Sequence, residues 1–289
     1  MLKEPGMVTD ACWTDINSDG YPDLMLVGEW MPVTFFLNEK GKLSTKQEIP
    51  NSTGWWNVIH QADLDKDGDM DFVLGNWGLN SRFKASKDQP MRLYIKDFDE
   101  NGTSESLITY FWPDGKSHLY PAKIDLTSQI PSLKKAFLKY SDYAGKSIED
   151  VFGKGAVSHS QQYKTEELET SILWNKGKAG LQLKPLPVMA QVAPVYAIVT
   201  TDFDKDGHID MLLAGNMLDL KPDVGRLDAN NGIGLKGDNK GNFVPLGKME
   251  TGIQIKGQVR DAEIITVGNN KQALILARNN DSLMYYILQ

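Results

Sequence analysis

Four nine-residue stretches of this chain place an oxygen-bearing side chain at positions 1, 3, 5 and 9 and a glycine at position 6. The first uses Asp15, Asn17, Asp19 and Asp23 around Gly20; the second, Asp63, Asp65, Asp67 and Asp71 around Gly68. The third uses Asp97, Asp99, Asn101 and Glu105 around Gly102; the fourth, Asp202, Asp204, Asp206 and Asp210 around Gly207. In the second, D-L-D-K-D-G-D-M-D, Asp69 adds a fifth carboxylate. Such groups repel one another in a bare fold, whereas a hard divalent cation at their centre turns repulsion into ligation.

The spacing has a mechanical reason. Positions 1, 3 and 5 converge when the chain curls tightly, the glycine permits the sharp turn, and the acid at position 9 closes the shell. Position 7 (Tyr21, Asp69, Thr103, His208) offers its backbone carbonyl. Calcium suits this set better than magnesium, which keeps its waters in a small octahedron. Four such ions would move the formal charge from -7 to about +1. An Asp-Gly pair alone marks many simple turns without an ion; four copies that all keep the ninth-position acid favour the metal. An EF-hand is excluded, because its twelfth-position glutamate is replaced here by Leu26, Leu74, Ile108 and Leu213.

After each loop comes a short apolar run, Leu24 to Val27, Phe72 to Leu74, Leu107 to Phe111 and Met211 to Leu213, which reads as a buried strand. The metal is therefore expected in a strand-loop-strand hairpin. Further strands follow around the turns Leu37-Asn38-Glu39-Lys40-Gly41-Lys42-Leu43 and Gly237-Asp238-Asn239-Lys240-Gly241-Asn242-Phe243. Repeated units of four short strands describe β-propeller blades, so the expected fold is an all-β propeller of about five four-stranded blades over residues 1–289. Loop starts at 15, 63, 97 and 202 are unevenly spaced. The short interval suggests that the third loop joins the outer strands of the second blade. The long one contains an insertion at 125–170, read as short helices because Leu133, Phe137 and Tyr140 share a face and Ser147 to Asp150 forms a capping box. The last unit, Gln258 to Gln289, carries strands at Asp261 to Val267, Ala273 to Ala277 and Leu283 to Leu288 but no metal loop.

The D-x-[DN]-x-[DN]-G-x-x-[DE] loops and their downstream turns resemble the FG-GAP or VCBS repeats of integrin α-subunit propellers and their bacterial relatives. Gly6 to Asp10 and Val27 to Pro32 also resemble exported bacterial VCBS proteins related to cartilage acidic protein. The resemblance implies that the four loops are calcium sites at strand turns of the blades. It also implies an extracellular, cell-surface or periplasmic binding or adhesion module whose partner is a polysaccharide or a cell-surface protein.

Other features bound the function. A net charge of -7 with no basic block argues against nucleic-acid binding. No apolar run is long enough to span a membrane, and strand-like residues begin at Met7, which suggests a segment of a longer protein whose export signal lay upstream. The single cysteine, Cys12, cannot form an internal disulfide and reads as a core residue. No nucleophile elbow, H-E-x-x-H or phosphate loop is present, and His60, His118, His159 and His208 are scattered. Among seven tryptophans, Trp56, Trp77 and Trp112 are candidates for stacking on sugar rings. The rival function is a calcium-dependent carbohydrate-active enzyme, a polysaccharide-lyase-like propeller, with Arg82, Lys84 and Arg226 as candidate groups in no recognisable motif.

Overall fold

The computed structural model describes residues 2–222, 224–246, 252–268 and 271–288. It divides into two compact units, one of residues 1–82 and 168–289 and one of residues 83–167.

The first unit opens with β1 (Met7–Thr14), β2 (Asp23–Met31), β3 (Thr34–Glu39) and β4 (Lys42–Glu48), an antiparallel meander onto which β5 (Gly54–Trp55) pairs beside β2. The hairpin β6 (Val58–Ala62) and β7 (Asp71–Gly75) starts a second sheet. The chain then leaves for the second unit, with β8 (Met91–Lys96), β9 (Glu105–Phe111), β10 (Ser117–Leu119) and β11 (Gln161–Thr165). On its return β12 (Ser171–Asn175) pairs with β7 and β13 (Leu181–Pro185) takes the edge. A third sheet runs β14 (Val195–Thr201), β15 (Asp210–Gly215), β16 (Ile233–Gly237) and β17 (Phe243–Pro245). The fourth has three strands, β18 (Val259–Val267), β19 (Lys271–Arg278) and β20 (Met284–Leu288).

The apolar runs of β2, β7, β12 and β15 are continuous rather than alternating because both faces of these strands are covered. Phe72 and Leu74 of β7 face Met25, Val27 and Phe35 of the first sheet, whereas Val73 faces Met211, Leu213 and Leu235 of the third. Leu212 and Ala214 turn the other way, onto Val259, Leu274 and Leu276 of the fourth. Each large side chain so buried contributes about 2 kcal/mol relative to exposure. The first strands of successive sheets are neighbours: β1 packs on β6, β6 on β14, and β14 on β18. Ile59 N–H donates to Asp10 Oδ2 at 2.9 Å across the first contact, and His60 Nε2 lies 2.9 Å from Thr200 Oγ1 across the second. The unit is all-β and its arrangement is consistent with a β-propeller.

The second unit is a sheet of order β10-β9-β8-β11 with three short helices, α1 (Lys123–Gln129), α2 (Tyr140–Tyr143) and α3 (Ile148–Ser158). Leu126, Ile130, Ile148 and Val157 from the helical segment pack on Tyr94, Leu107 and Leu119 from the strands. Ser147 caps α3 as its sequence predicts: Asp150 N–H donates to Ser147 Oγ at 3.1 Å and Ser147 N–H to Asp150 Oδ2 at 2.9 Å.

Two expectations about connectivity are corrected. The third loop does not join outer strands of the second sheet; it joins β8 and β9 of the second unit's own sheet. The outer strands of the second sheet are β12 and β13, because antiparallel pairing of β12 with β7 lets the chain leave after Leu74 and return at Ser171 without breaking the ladder. The helices expected at 125–170 accordingly sit inside a larger excursion that supplies strands as well. Gln289, at the end of the last expected unit, lies outside the described residues.

Candidate metal centres

Each loop connects two antiparallel strands, β1 to β2, β6 to β7, β8 to β9 and β14 to β15. All four adopt one backbone course. Position 4 (Ser18, Lys66, Glu100, Lys205) is left-handed with φ between 58° and 61°, and the glycine at position 6 is left-handed with φ from 85° to 96°. Position 7 donates its N–H to the side-chain oxygen of position 5: Tyr21 to Asp19 at 2.9 Å, Asp69 to Asp67 at 3.0 Å, Thr103 to Asn101 at 2.8 Å, His208 to Asp206 at 2.8 Å. Position 6 donates to position 1, as from Gly20 to Asp15 at 2.8 Å and from Gly102 to Asp97 at 2.7 Å. These bonds fix side chains 1 and 5, and in the first and fourth loops the position-3 oxygen of Asn17 or Asp204 accepts the position-5 N–H as well.

The acid at position 9 does a second job. Asp23, Asp71 and Asp210 are fully buried. One oxygen of each accepts the N–H of loop position 2, from Ile16, Leu64 and Phe203. The other accepts an N–H from the sheet's third strand: Asn38 at 2.7 Å, Asn175 at 2.9 Å and Gly237 at 3.0 Å. Glu105 holds Phe98 N–H at 2.8 Å in the same way, and the Phe98 ring packs on Phe152 of α3 with centroids 4.4 Å apart. Burial pushes Asp71 up to about 7, with the neighbouring Asp65 charge adding to the shift and bonds from Asn175 and Leu64 opposing it. Asp210 is raised for the same leading reason.

One oxygen from each of Asp63, Asp65 and Asp71 lies within 4.8 Å of the other two, and the same holds for Asp97, Asp99 and Glu105 and for Asp202, Asp204 and Asp206. Calcium sits 2.3–2.6 Å from its oxygens, so ligands on opposite sides of one ion are about 5 Å apart. The decisive test of fit is the state of the buried oxygens. Asp63 Oδ1, Asp65 Oδ1 and Asp99 Oδ1 are shielded from solvent and have no hydrogen-bond partner, a costly condition for a carboxylate without a cation. The donor set therefore fits a hard divalent ion. In the first loop Asn17 stands in for the third-position acid, its Oδ1 accepting Asp19 N–H at 3.1 Å.

Charge is offset in part at two of the loops. The second and fourth loops, with acids at positions 1, 3, 5 and 9, each receive a lysine from the third strand's end. Lys176 Nζ lies 2.7 Å from Asp65 Oδ2, and Lys236 contacts Asp204 and lies 2.7 Å from Asp206 Oδ2. The first and third loops carry an asparagine at one of these positions, and among the described residues no lysine pairs with their acids. The two lysines were not singled out from sequence; each lies beside the residue that bonds the buried ninth-position acid, Asn175 or Gly237, which is a legible signal.

The aromatic candidates divide. Trp56 is corrected: it is wholly buried, with its indole N–H donated to Ser52 O at 2.8 Å, so neither face of the ring is open to a sugar. Trp77 is half-buried and packs edge-on to Trp55 at 5.2 Å, and Trp30 packs edge-on to Trp55 at 5.1 Å. Trp112, in the second unit, is 41% exposed and tilted over His118 at 4.6 Å.

Residues 15–74 match the FG-GAP-like repeat, a span that runs from the first position of the first loop to the end of the strand following the second. The chain carries an FG-GAP-like repeat. Comparison with curated proteins gives no match. The matched span includes both loops with their buried ninth-position acids, Asp23 and Asp71, and the first acid's third-strand partner, Asn38. No helix among the described residues is long and apolar enough to cross a membrane.

Proposed function

We propose that the chain is a calcium-stabilised, non-enzymatic binding module of an exported bacterial protein, a β-propeller in which metal loops lock the hairpins of successive blades. Asp15, Asn17, Asp19 and Asp23; Asp63, Asp65, Asp67 and Asp71; Asp97, Asp99, Asn101 and Glu105; and Asp202, Asp204, Asp206 and Asp210 would hold the ions, with the carbonyls of Tyr21, Asp69, Thr103 and His208. The observation that carries this is the set of buried, partnerless carboxylate oxygens on Asp63, Asp65 and Asp99. Calcium supplies charge neutralisation there, and the chain's own bonds preorganise the cage. FG-GAP repeats occur in extracellular proteins, where calcium is abundant, and this supports an exported location. The ligand is a polysaccharide or a surface protein. On a glycan array the calcium-loaded protein should retain specific glycans without forming product. Appearance of unsaturated sugars absorbing in the ultraviolet would replace this reading with the lyase.

A further inference from the structure

The second unit carries twelve lysines and arginines against twelve aspartates and glutamates, so the chain's formal charge of -7 belongs to the first unit. Its positive charge is unevenly spread. Between Asp125 and Asp142 the sequence holds no acid but three lysines, Lys134, Lys135 and Lys139. All three are exposed, and among the described residues none of their ammonium groups forms an ion pair. The flanking acids are tied to the fold. Asp142 Oδ2 accepts Lys139 N–H at 2.8 Å, and Asp150 Oδ2 accepts both the N–H and the Oγ–H of Ser147 at 2.9 Å. Asp150 also feels Lys146 and Lys116, Asp125 lies in the first turn of α1, and Glu149 lies in the first turn of α3. Between residues 123 and 158 six lysines stand against these four acids. The unit's other acid cluster, Asp97, Asp99 and Glu105, gathers around the third loop's own centre.

The same stretch exposes apolar surface. Leu133 and Phe137 turn inward: Leu133 packs on the core of Leu126, Ile130 and Ile148, and the Phe137 ring meets Tyr143 with centroids 5.6 Å apart. Leu138 and Tyr140 do the opposite and are 77% and 63% exposed. Three contacts hold them there. Tyr143 Oη donates to Pro121 O at 2.6 Å, Lys123 Nζ donates to Leu138 O at 2.9 Å, and the same ammonium lies 5.0 Å from the Tyr140 ring centroid. Residues 138–140 therefore form a braced tip, a leucine and a tyrosine on either side of Lys139, with the Lys123 ammonium against it. Ile124, the next residue along α1, is 65% exposed.

We propose that the tip of residues 138–140, with Lys123, Lys134 and Lys135, docks on an anionic lipid surface. The lysines supply attraction to the lipid phosphates, and Leu138 and Tyr140 enter the boundary between headgroups and acyl chains. Each lysine near such a surface raises partitioning about fivefold. Because charges separated by more than about 8 Å are largely screened at physiological salt, the local lysines rather than the chain's total of -7 set the attraction. Leu138 decides between a lipid surface and an anionic polysaccharide. A hydrated acidic glycan would engage the lysines but offers no apolar interior to an aliphatic side chain, whereas a bilayer offers both. This inference goes beyond the binding-module reading, adds a second partner to it, and does not rest on the metal loops.

The test is co-sedimentation of the calcium-loaded chain with vesicles of phosphatidylglycerol and phosphatidylcholine in equal parts, with pure phosphatidylcholine vesicles and soluble heparin alongside. Binding should be confined to the anionic vesicles and should weaken with salt. Leu138→Ser should lower partitioning about tenfold, and the triple variant Lys134→Gln, Lys135→Gln, Lys139→Gln about a hundredfold. Melting temperatures should be unchanged, because all four side chains are exposed. Leu283→Ser, at a 68% exposed leucine of the first unit, should bind as the parent does. Undiminished binding by the triple variant would overturn the proposal and reduce the association to calcium bridging. Binding that needs the lysines but not Leu138, with heparin showing the same lysine dependence, would overturn it in favour of an anionic polysaccharide. Absence of binding to anionic vesicles would overturn it as well, and would leave calcium stabilisation and the proposed module untouched.

Discussion

Asp71 Oδ1 accepts the backbone N–H of Asn175 at 2.9 Å, joining residues 104 positions apart. The acid at the ninth position of the second loop also pins the strand that returns after residues 83–167, so loop and sheet share one buried carboxylate. In metal-free protein burial pushes Asp71 up to about 7. The folded state then keeps a proton that the unfolded chain releases at an ordinary carboxylate pKa, so stability should fall as pH rises from about 4 to 7 and level off above. Melting temperatures in chelator across this range check it, and Asp71→Asn should flatten the slope. Calcium, which selects the carboxylate, should also flatten it; a profile in chelator that rises with pH would count against the account.

Lys236 pairs with two of the four acids of the fourth loop, Asp204 and Asp206. Its pKa is raised by bonds to Asp204 and Asp206. Lys236→Met should lower the metal-free melting temperature and raise calcium affinity at that loop severalfold, since the ion no longer competes with a resident ammonium. Calorimetry of the variant reads both. A weaker calcium affinity would show that the lysine assists the cage rather than competing with it.

Gly215 has no room for a side chain, with Pro194 O only 1.9 Å from the position a Cβ would take. Gly215→Ala should destabilise the fold by about 2–4 kcal/mol through a forced backbone shift. Gly20→Ala meets no atom but must hold φ near 87°, a strain worth about 1–2 kcal/mol. Chemical denaturation of the two variants should therefore rank them in that order.

Cys12 is pushed up to about 12, chiefly by burial and then by the negative charge of Asp10. It should remain a neutral thiol at pH 8, so alkylation should be far slower than for a free thiol and should accelerate on unfolding. Intact mass after timed iodoacetamide exposure measures this.

Much of this was legible from residue order. The loops were readable because ligation needs a fixed spacing, and the strands that follow the first, second and fourth loops because both of their faces are covered, which makes runs such as Met211 to Leu213 unbroken. The nesting was not legible. Pairing of β12 with β7 depends on contacts between Leu173 and Phe72, which no local period encodes. The burial of Trp56 was hidden for a similar reason: adjacent Trp55 and Trp56 point to opposite faces, but both faces are internal.

The central claim is that the four acid loops are cation cages. It is tested most directly by calcium titration of chelator-treated protein, with heat and melting temperature followed together. Saturable binding at about four ions per chain and a melting temperature that climbs with calcium are the predicted result. The second-loop variant Asp63→Ala should lose one equivalent. No binding heat and an unchanged melt at millimolar calcium would contradict the account.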